Sequence, residues 1–187
     1  MKIIITGHTS GIGLSLSKVF SSNGHEVFGY SRSTGYNIED YSVRKKIIEE
    51  SKDSDIFINN AYSPKGQTLL LSELIENWNN QEKKIINISS KLSHFPLGKI
   101  PFLDQYIIEK SKQNSIVQDR LSIPYPQILN VIVGLVDTPM SEVFKSKKIN
   151  PDSLSKMIYE VATNNEINVQ QLMVDVVGLD WKNITGL

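Results

Sequence analysis

Ile3-Ile4-Ile5 is an unbroken apolar run that ends at Thr6-Gly7. A strand with one wet face alternates apolar and polar residues. A run without alternation marks a strand covered on both faces, as in a parallel sheet lined by helices. The same signature returns at Ile56-Phe57-Ile58 and at Ile85-Ile86-Asn87-Ile88, and again over Ile128 to Val133 after the Pro124-Tyr125-Pro126 break. Segments of helical spacing separate these runs. Leu14, Leu16, Val19 and Phe20 precede the helix-stopping pair Asn23-Gly24. Val43, Ile47 and Ile48 follow Asp40 or Ser42 as N-cap and lead toward Lys52. A polar helical stretch covers Leu69 to Trp78. A broad apolar stripe of Ile107, Ile108, Ile116, Val117 and Leu121 lies within Phe102 to Leu121, and a last helix spans roughly Asp152 to Ala162.

Glu26 to Tyr30 reads as a second strand, Tyr36-Asn37-Ile38 as a very short third one, and Leu172-Met173-Val174 as the last, with no repeat or low-complexity segment. The pattern predicts a doubly wound α/β fold of the Rossmann type, with a mostly parallel sheet of about seven strands. At 187 residues, 40% hydrophobic and 21% charged, the chain suits one domain over 1–187. Lys plus Arg and Asp plus Glu number 20 each, so no global field draws in nucleic acid or an anionic membrane. The absence of Cys excludes disulfides, thiolate metal sites and thiol nucleophiles. The apolar start is too short for a signal-peptide core or a membrane span, so a cytoplasmic protein is expected. His8 and His94 have no clustered partners, and no metal site is expected.

Thr6-Gly7-His8-Thr9-Ser10-Gly11-Ile12-Gly13 sits between the first strand and the first helix. Glycines there permit a tight turn and let backbone N–H groups approach a pyrophosphate at a helix N-terminus. At the end of the second strand, where an acidic residue would accept from the ribose 2′-OH of NAD, stand Ser31-Arg32. A carboxylate would repel a 2′-phosphate, whereas Arg32 donates charge-assisted hydrogen bonds to one and Ser31 adds another donor, which predicts NADP(H) over NAD. Tyr106 and Lys110 lie four apart and share one helical face. A free phenol has a pKa of about 10, and an adjacent ammonium favours phenolate, which suits Tyr106 to proton exchange with a carbonyl or an alcohol. A hydroxyl directly after the strand Ile85 to Ile88 stands at the same end of the sheet, where it can hydrogen-bond an oxygen that gains negative charge. Ser90 is the first choice by register with that strand; Ser93 remains the alternative.

The spacing Thr-Gly-x3-Gly-x-Gly resembles the coenzyme motif of the short-chain dehydrogenase/reductase family, in which Gly7, Thr9, Ser10, Gly11, Ile12 and Gly13 would hold the cofactor. Ser10 stands where NADP-dependent members often carry a basic residue. Asn37-Ile38 resembles the family's adenine-contact pair, and Asn59-Asn60-Ala61-Tyr62 its Asn-Asn-Ala-Gly segment, with Tyr62 in place of glycine. Gly134-Leu135-Val136-Asp137-Thr138 resembles the segment whose backbone and threonine engage the nicotinamide carboxamide, with Val133 where proline is usual. The resemblance assigns Lys110 to the nicotinamide ribose and the segment from Gln171 to Asp175 to the closing strand. The interval from Ser90 is 106 − 90 = 16, against a usual interval of about thirteen, which 106 − 93 = 13 meets from Ser93.

Family members usually run to about 250 residues, so this chain is about sixty short. The helix between the second and third strands is missing between Arg32 and Tyr36, and the segment from Tyr62 to Lys84 is shorter than the family's long fourth helix. Asn77, Asn79 and Asn80 do not match the relay Asn of that helix by spacing. The helix commonly forms the subunit contact, so a homo-oligomer stays open. Lys145, Lys147 and Lys148 read as a solvated surface. The resemblance implies an NADP(H)-dependent oxidoreductase acting on a small carbonyl or alcohol through Ser90, Tyr106 and Lys110. The alternative is a catalytically weak or inactive regulatory protein that binds the dinucleotide, and a nucleotide-sugar epimerase lacks the room for its larger substrate domain.

Overall fold

Every doubly apolar run becomes a parallel strand. The computed structural model describes residues 1–181, and strands β1 (Lys2–Thr6), β2 (Glu26–Tyr30), β3 (Ile56–Asn59), β4 (Lys84–Ser90), β5 (Gln127–Val133) and β6 (Gln171–Val174) form one sheet in the order β2-β1-β3-β4-β5-β6. Helices α1 (Gly11–Ser22), α2 (Tyr41–Glu50), α3 (Gly66–Asn77), α4 (Asp104–Gln118) and α5 (Pro151–Ala162) make the crossovers. Successive strand residues point to opposite faces, which splits the isoleucine run. Ile3 and Ile5 pack with Leu16 and Phe20 of α1 and with Leu154 and Ile158 of α5. Ile4 packs with Ile47 of α2, Leu70 and Leu74 of α3, and Val117 of α4. The strand order reverses at β1, between β2 and β3, where a doubly wound sheet opens a crevice at the carboxyl ends of its strands.

The sheet has six strands among the described residues, not about seven, because Tyr36-Asn37-Ile38 forms none. Arg32–Thr34 makes a single 3₁₀ turn closed by Gly35 at φ 89°. Tyr36 then packs edge-on against Tyr30 at 4.8 Å, Ile38 enters the core, and Asp40 stands at the N-cap position of α2, its side chain making no cap bond. Too little chain separates these anchors to lay a strand along the outer edge of β2, which stays the edge of the sheet. Buried Arg44 of α2 secures the connection: it donates to Glu73 of α3 and to the carbonyls of Ile38 and Glu39. α5 begins one residue earlier than expected, at Pro151, behind Asn150, whose side chain accepts from the N–H groups of Asp152 and Ser153.

One polar residue interrupts the apolar pattern at the same level of three adjacent strands. Asn59, Asn87 and Asn130 are in register across β3, β4 and β5, all essentially buried. Asn59 Nδ2 donates to Asn87 Oδ1 at 3.0 Å, Asn87 Nδ2 to Asn130 Oδ1 at 2.9 Å, and Asn130 Nδ2 to Asn114 Oδ1 of α4 at 3.0 Å. An amide carries both donors and an acceptor, so a row of them meets most of its hydrogen-bonding needs internally.

Candidate active site

A cleft of about 570 Å³ opens at the carboxyl ends of β1 to β5. Its floor at one end is the turn between β1 and α1. Gly7 and Gly11 adopt φ of 74° and 53°, a region L side chains avoid. A Cβ on Gly13 would fall inside the van der Waals envelope of the Gly7 carbonyl, so this glycine lets α1 close on the turn. Thr6 fastens the turn to the end of β3: its buried Oγ1 accepts from the N–H groups of Asn60 and Ala61, while Asn60 Nδ2 donates to the Thr6 carbonyl at 2.9 Å. The Ser10 hydroxyl at the α1 N-cap makes no cap bond, and no acidic residue occupies the first turn. The helix therefore presents N–H groups and partial positive charge to the cleft.

The neighbouring rim follows from the end of β2. Ser31 Oγ is hydrogen-bonded with Ser33 Oγ at 2.9 Å and with Thr34 Oγ1 at 3.2 Å, and Ser33 Oγ with Thr9 Oγ1 at 3.1 Å. Arg32 stands exposed on the same rim. Asn37, Ile38, Asn60, Ala61 and Thr138 also line the cleft.

Tyr106, Lys110 and Ile88 line the opposite end. Tyr106 is half-buried, and Tyr62 packs edge-on against its ring at 4.8 Å. Burial pushes the Tyr106 phenol up to about 12; the Ser90 hydroxyl opposes this and Tyr62 adds to it. Lys110 is 2% exposed, and burial pulls its ammonium down to about 7. Its Nζ lies 5.6 Å from the Tyr106 ring centroid and donates to Gln67 Oε1 and the Ile88 carbonyl, each at 2.7 Å. The expected lowering of the phenol by an adjacent ammonium is thus reversed: desolvation dominates both groups, and the Lys110 protons are taken by neutral oxygens.

The two serine candidates differ in what they touch. Ser93 Oγ donates to the Ser90 carbonyl at 2.6 Å and accepts from Asn114 Nδ2 at 2.7 Å, so its hydroxyl is engaged in the loop. Ser90 Oγ accepts from the Leu92 N–H at 3.2 Å and meets Tyr106. Gly13, Ser90 and Val136 do not line the cleft. Gly13 lies beneath the turn, and Val136 is in the core, paired with Ile149. Leu92, Phe95, Ile100, Leu103, Ile107 and Trp181 make an apolar flank beside Tyr106.

Sequence reasoning named Thr6 only as the opening of the glycine motif, and it missed Gln67 and Gln113 as parts of this site. The signal for Gln67 was slight: a glutamine directly after Gly66, at the start of a helix whose next inward residues are Leu70, Leu71 and Leu74. Among the described residues no three His, Asp or Glu side chains are grouped to hold a metal, and no helix is long and apolar enough to cross a membrane.

The sheet order, the crossovers and the cleft at the reversal define the fold of the short-chain dehydrogenases/reductases, and this chain has that fold. No family model and no curated protein matches the sequence. Among solved structures, the 3-alpha-hydroxysteroid dehydrogenase of Pseudomonas sp. B-0831, complexed with NADH, superimposes with a TM-score of 0.76 at 15% identity, covering 100% of this chain and 99% of that one. A short chain dehydrogenase of Burkholderia cenocepacia in complex with NADP gives 0.76 at 17% identity, over 92% of this chain and 86% of that one. A short-chain dehydrogenase/reductase of Vibrio parahaemolyticus gives 0.75 at 17%, over 94% and 100%.

Proposed function

We propose that this chain is an NADP(H)-dependent oxidoreductase of a single catalytic domain, interconverting a small carbonyl compound and its alcohol. The observation that carries the reading is one cleft with the glycine turn and Arg32 at one end and Tyr106 with Lys110 at the other. The residues fit a dinucleotide. A Cβ on Gly11 would approach Thr138 Cγ2 to 3.1 Å, so the glycine keeps the turn open between α1 and the segment after β5. Ser10 retains a free hydroxyl, and α1 offers N–H groups to a pyrophosphate. Arg32, Ser31, Ser33 and Thr9 gather one cation and three hydroxyls where a 2′-phosphate would sit, and no carboxylate is among them. Asn37, Ile38, Asn60 and Ala61 would border the adenosine and Thr138 the nicotinamide, with Val136 holding that segment from the core.

A nicotinamide cofactor supplies the hydride. This chain supplies the proton. With its pKa raised to about 12, Tyr106 is protonated at neutral pH, the form that gives a proton to the oxygen of a carbonyl as hydride reaches its carbon. Ser90, against the phenol, orients that oxygen, and Lys110 steadies the phenol from behind. The proton affinity of Tyr106 favours the reductive direction near neutrality and makes alcohol oxidation rise toward high pH. The apolar flank from Leu92 to Trp181 would border the substrate and keep water off the reacting oxygen.

Two measurements test the reading. Titration with NADPH and NADH side by side, followed by protein or nicotinamide fluorescence, should show tighter binding of NADPH. Tyr106→Phe should then abolish NADPH oxidation by a panel of carbonyl compounds without loosening NADPH. If neither cofactor binds at millimolar concentration, the proposal fails. A second reading, a dinucleotide-binding regulatory protein with weak or no turnover, draws on the Lys110 protons being engaged by Gln67 and Ile88. NADPH binding with no turnover of any carbonyl would favour it.

A further inference from the structure

Lys110 is withdrawn from water without a counter-charge. The groups around its Nζ are Gln67 Oε1 at 2.7 Å, the Ile88 carbonyl at 2.7 Å and, more distantly, Gln113 Oε1 at 3.4 Å. From the end of β3 the Tyr62 ring faces it at 5.9 Å, and from its own helix the Tyr106 ring at 5.6 Å. Glu109, next in sequence, turns its buried carboxylate away to Thr68, Gln105 and Lys112. α3 brings the uncharged Gln67 and Thr68 to this region, and β4 the Ile88 carbonyl and Ser89.

Gln67 is fully buried, and its orientation is determined by its other end. Its Nε2 donates to the Asn59 carbonyl at 2.8 Å and to the Ile88 carbonyl at 3.1 Å. Turning the amide over would set its oxygen against two carbonyls and its NH₂ against the lysine. The oxygen is thereby aimed at Nζ by the ends of two strands. Gln113 is held more loosely, through a 3.3 Å bond from Nε2 to Thr68 Oγ1.

We infer that Gln67 is a positioning residue that acts through Lys110: its amide oxygen, oriented by the ends of β3 and β4, holds Nζ behind Tyr106 with a neutral partner and so sets how firmly that lysine keeps its proton. This rests on the reading of Tyr106 as the proton donor. A carboxylate in the same place would lock the ammonium in the charged state, and an apolar side chain would let it go. The neutral amide holds Lys110 between those limits, in keeping with its titration near neutrality.

The test follows Lys110 directly. Protein carrying ¹³Cε-labelled lysine is titrated by NMR, with the Lys110 resonance assigned by its loss in Lys110→Met. Gln67→Met removes the acceptor and should lower the Lys110 pKa by about one unit, the free-energy equivalent of a hydrogen bond to a charged group. Gln67→Asn, which withdraws the oxygen by one methylene yet keeps an amide, serves if the methionine variant does not fold, and should shift it in the same direction. Gln113→Met should shift it by less than half as much. In carbonyl reduction, Gln67→Met should lower kcat several-fold, leave the Kd of NADPH within a factor of three, and move the alkaline limb of the kcat profile the way Lys110 moves. A Lys110 titration unchanged in the folded Gln67 variants, or an equal shift in Gln113→Met, overturns the inference. Because the titration needs no substrate, a shift in Lys110 with no turnover anywhere upholds the Gln67 coupling and counts against the oxidoreductase reading alone.

Discussion

Replacing Lys110 with methionine removes one buried ammonium while keeping an unbranched side chain of similar length, and it should flatten the rise of stability with pH above neutrality. Lys110 titrates at 10.5 in a solvated chain and at about 7 in the fold. Below about pH 7 both states carry the proton, and the fold bears the whole cost of burying it. Between about 7 and 10.5 the unfolded chain binds the proton that the folded chain releases, so stability rises with pH; above 10.5 neither state is charged and the penalty is gone. The difference, 10.5 − 7 = 3.5 units, corresponds to a penalty on the order of 5 kcal/mol at low pH, with a slope of up to about 1.4 kcal/mol per pH unit. From pH 7 to pH 9 the wild-type protein should gain roughly 2–3 kcal/mol from this group, and Lys110→Met should not.

Urea unfolding followed by far-UV circular dichroism measures both proteins across that range. Lys83 and Lys84 are also lowered by burial and push in the same direction, so the difference between the two proteins isolates Lys110. The scan stops short of pH 10, because Tyr106, raised from 10.0 to about 12, makes stability fall with pH from there on. The variant also leaves Gln67 Oε1 without its donor, at about 1–3 kcal/mol, while the Ile88 carbonyl keeps the Gln67 amide N–H; the offset does not change with pH. A wild-type profile that is flat from pH 7 to 9, or a variant that rises as steeply, would refute the account of Lys110 as a buried group whose charge is costly.

Gly13→Ala would drive a methyl group into the Gly7 carbonyl; it should cost about 1–3 kcal/mol and abolish dinucleotide binding by opening the turn. Gly24→Ala is the control: φ is +79° with nothing within 4 Å, so thermal melting should show a loss of about 1–2 kcal/mol while cofactor titration stays unchanged. Arg32→Ala should weaken NADPH about tenfold or more and leave NADH alone, in paired fluorescence titrations. Equal losses for both cofactors would place Arg32 away from the 2′-phosphate.

The apolar runs told more than any motif. A run such as Ile3-Ile4-Ile5 can be satisfied only by burial on both faces, which made the parallel sheet and its helical cover legible before any contact was known. Tyr36-Asn37-Ile38 misled because β-like composition over three residues says nothing about a pairing partner. Gly35 and the anchoring of Tyr36 on Tyr30 decided that segment instead. The site was legible where spacing implies direction: Tyr106 and Lys110 share a face of α4 and both reach the cleft. What surrounds them was not legible. The direction of the Tyr106 shift depends on desolvation, a property of the packed cleft, and the partners of Lys110 come from Gln67, forty-three residues away in the chain. A glutamine in a polar-looking helix start does not reveal that its amide is buried.

The row of Asn59, Asn87 and Asn130 bears on how the sheet finds its alignment. Hydrophobic runs in parallel strands are poor keys, because isoleucine against isoleucine looks much the same after a slide along the strand. The three amides remove that ambiguity. A one-residue slip of β4 would turn Asn87 to the opposite face of the sheet, breaking its bonds to Asn59 and Asn130 together and stranding buried donors and acceptors at about 1–3 kcal/mol each. Because Asn130 also donates to Asn114 of α4, the helix carrying Tyr106 and Lys110 is indexed to the same level. Misaligned pairings of the central strands are thus penalised together, and the height of α4 over the cleft is established in the same event that aligns the sheet.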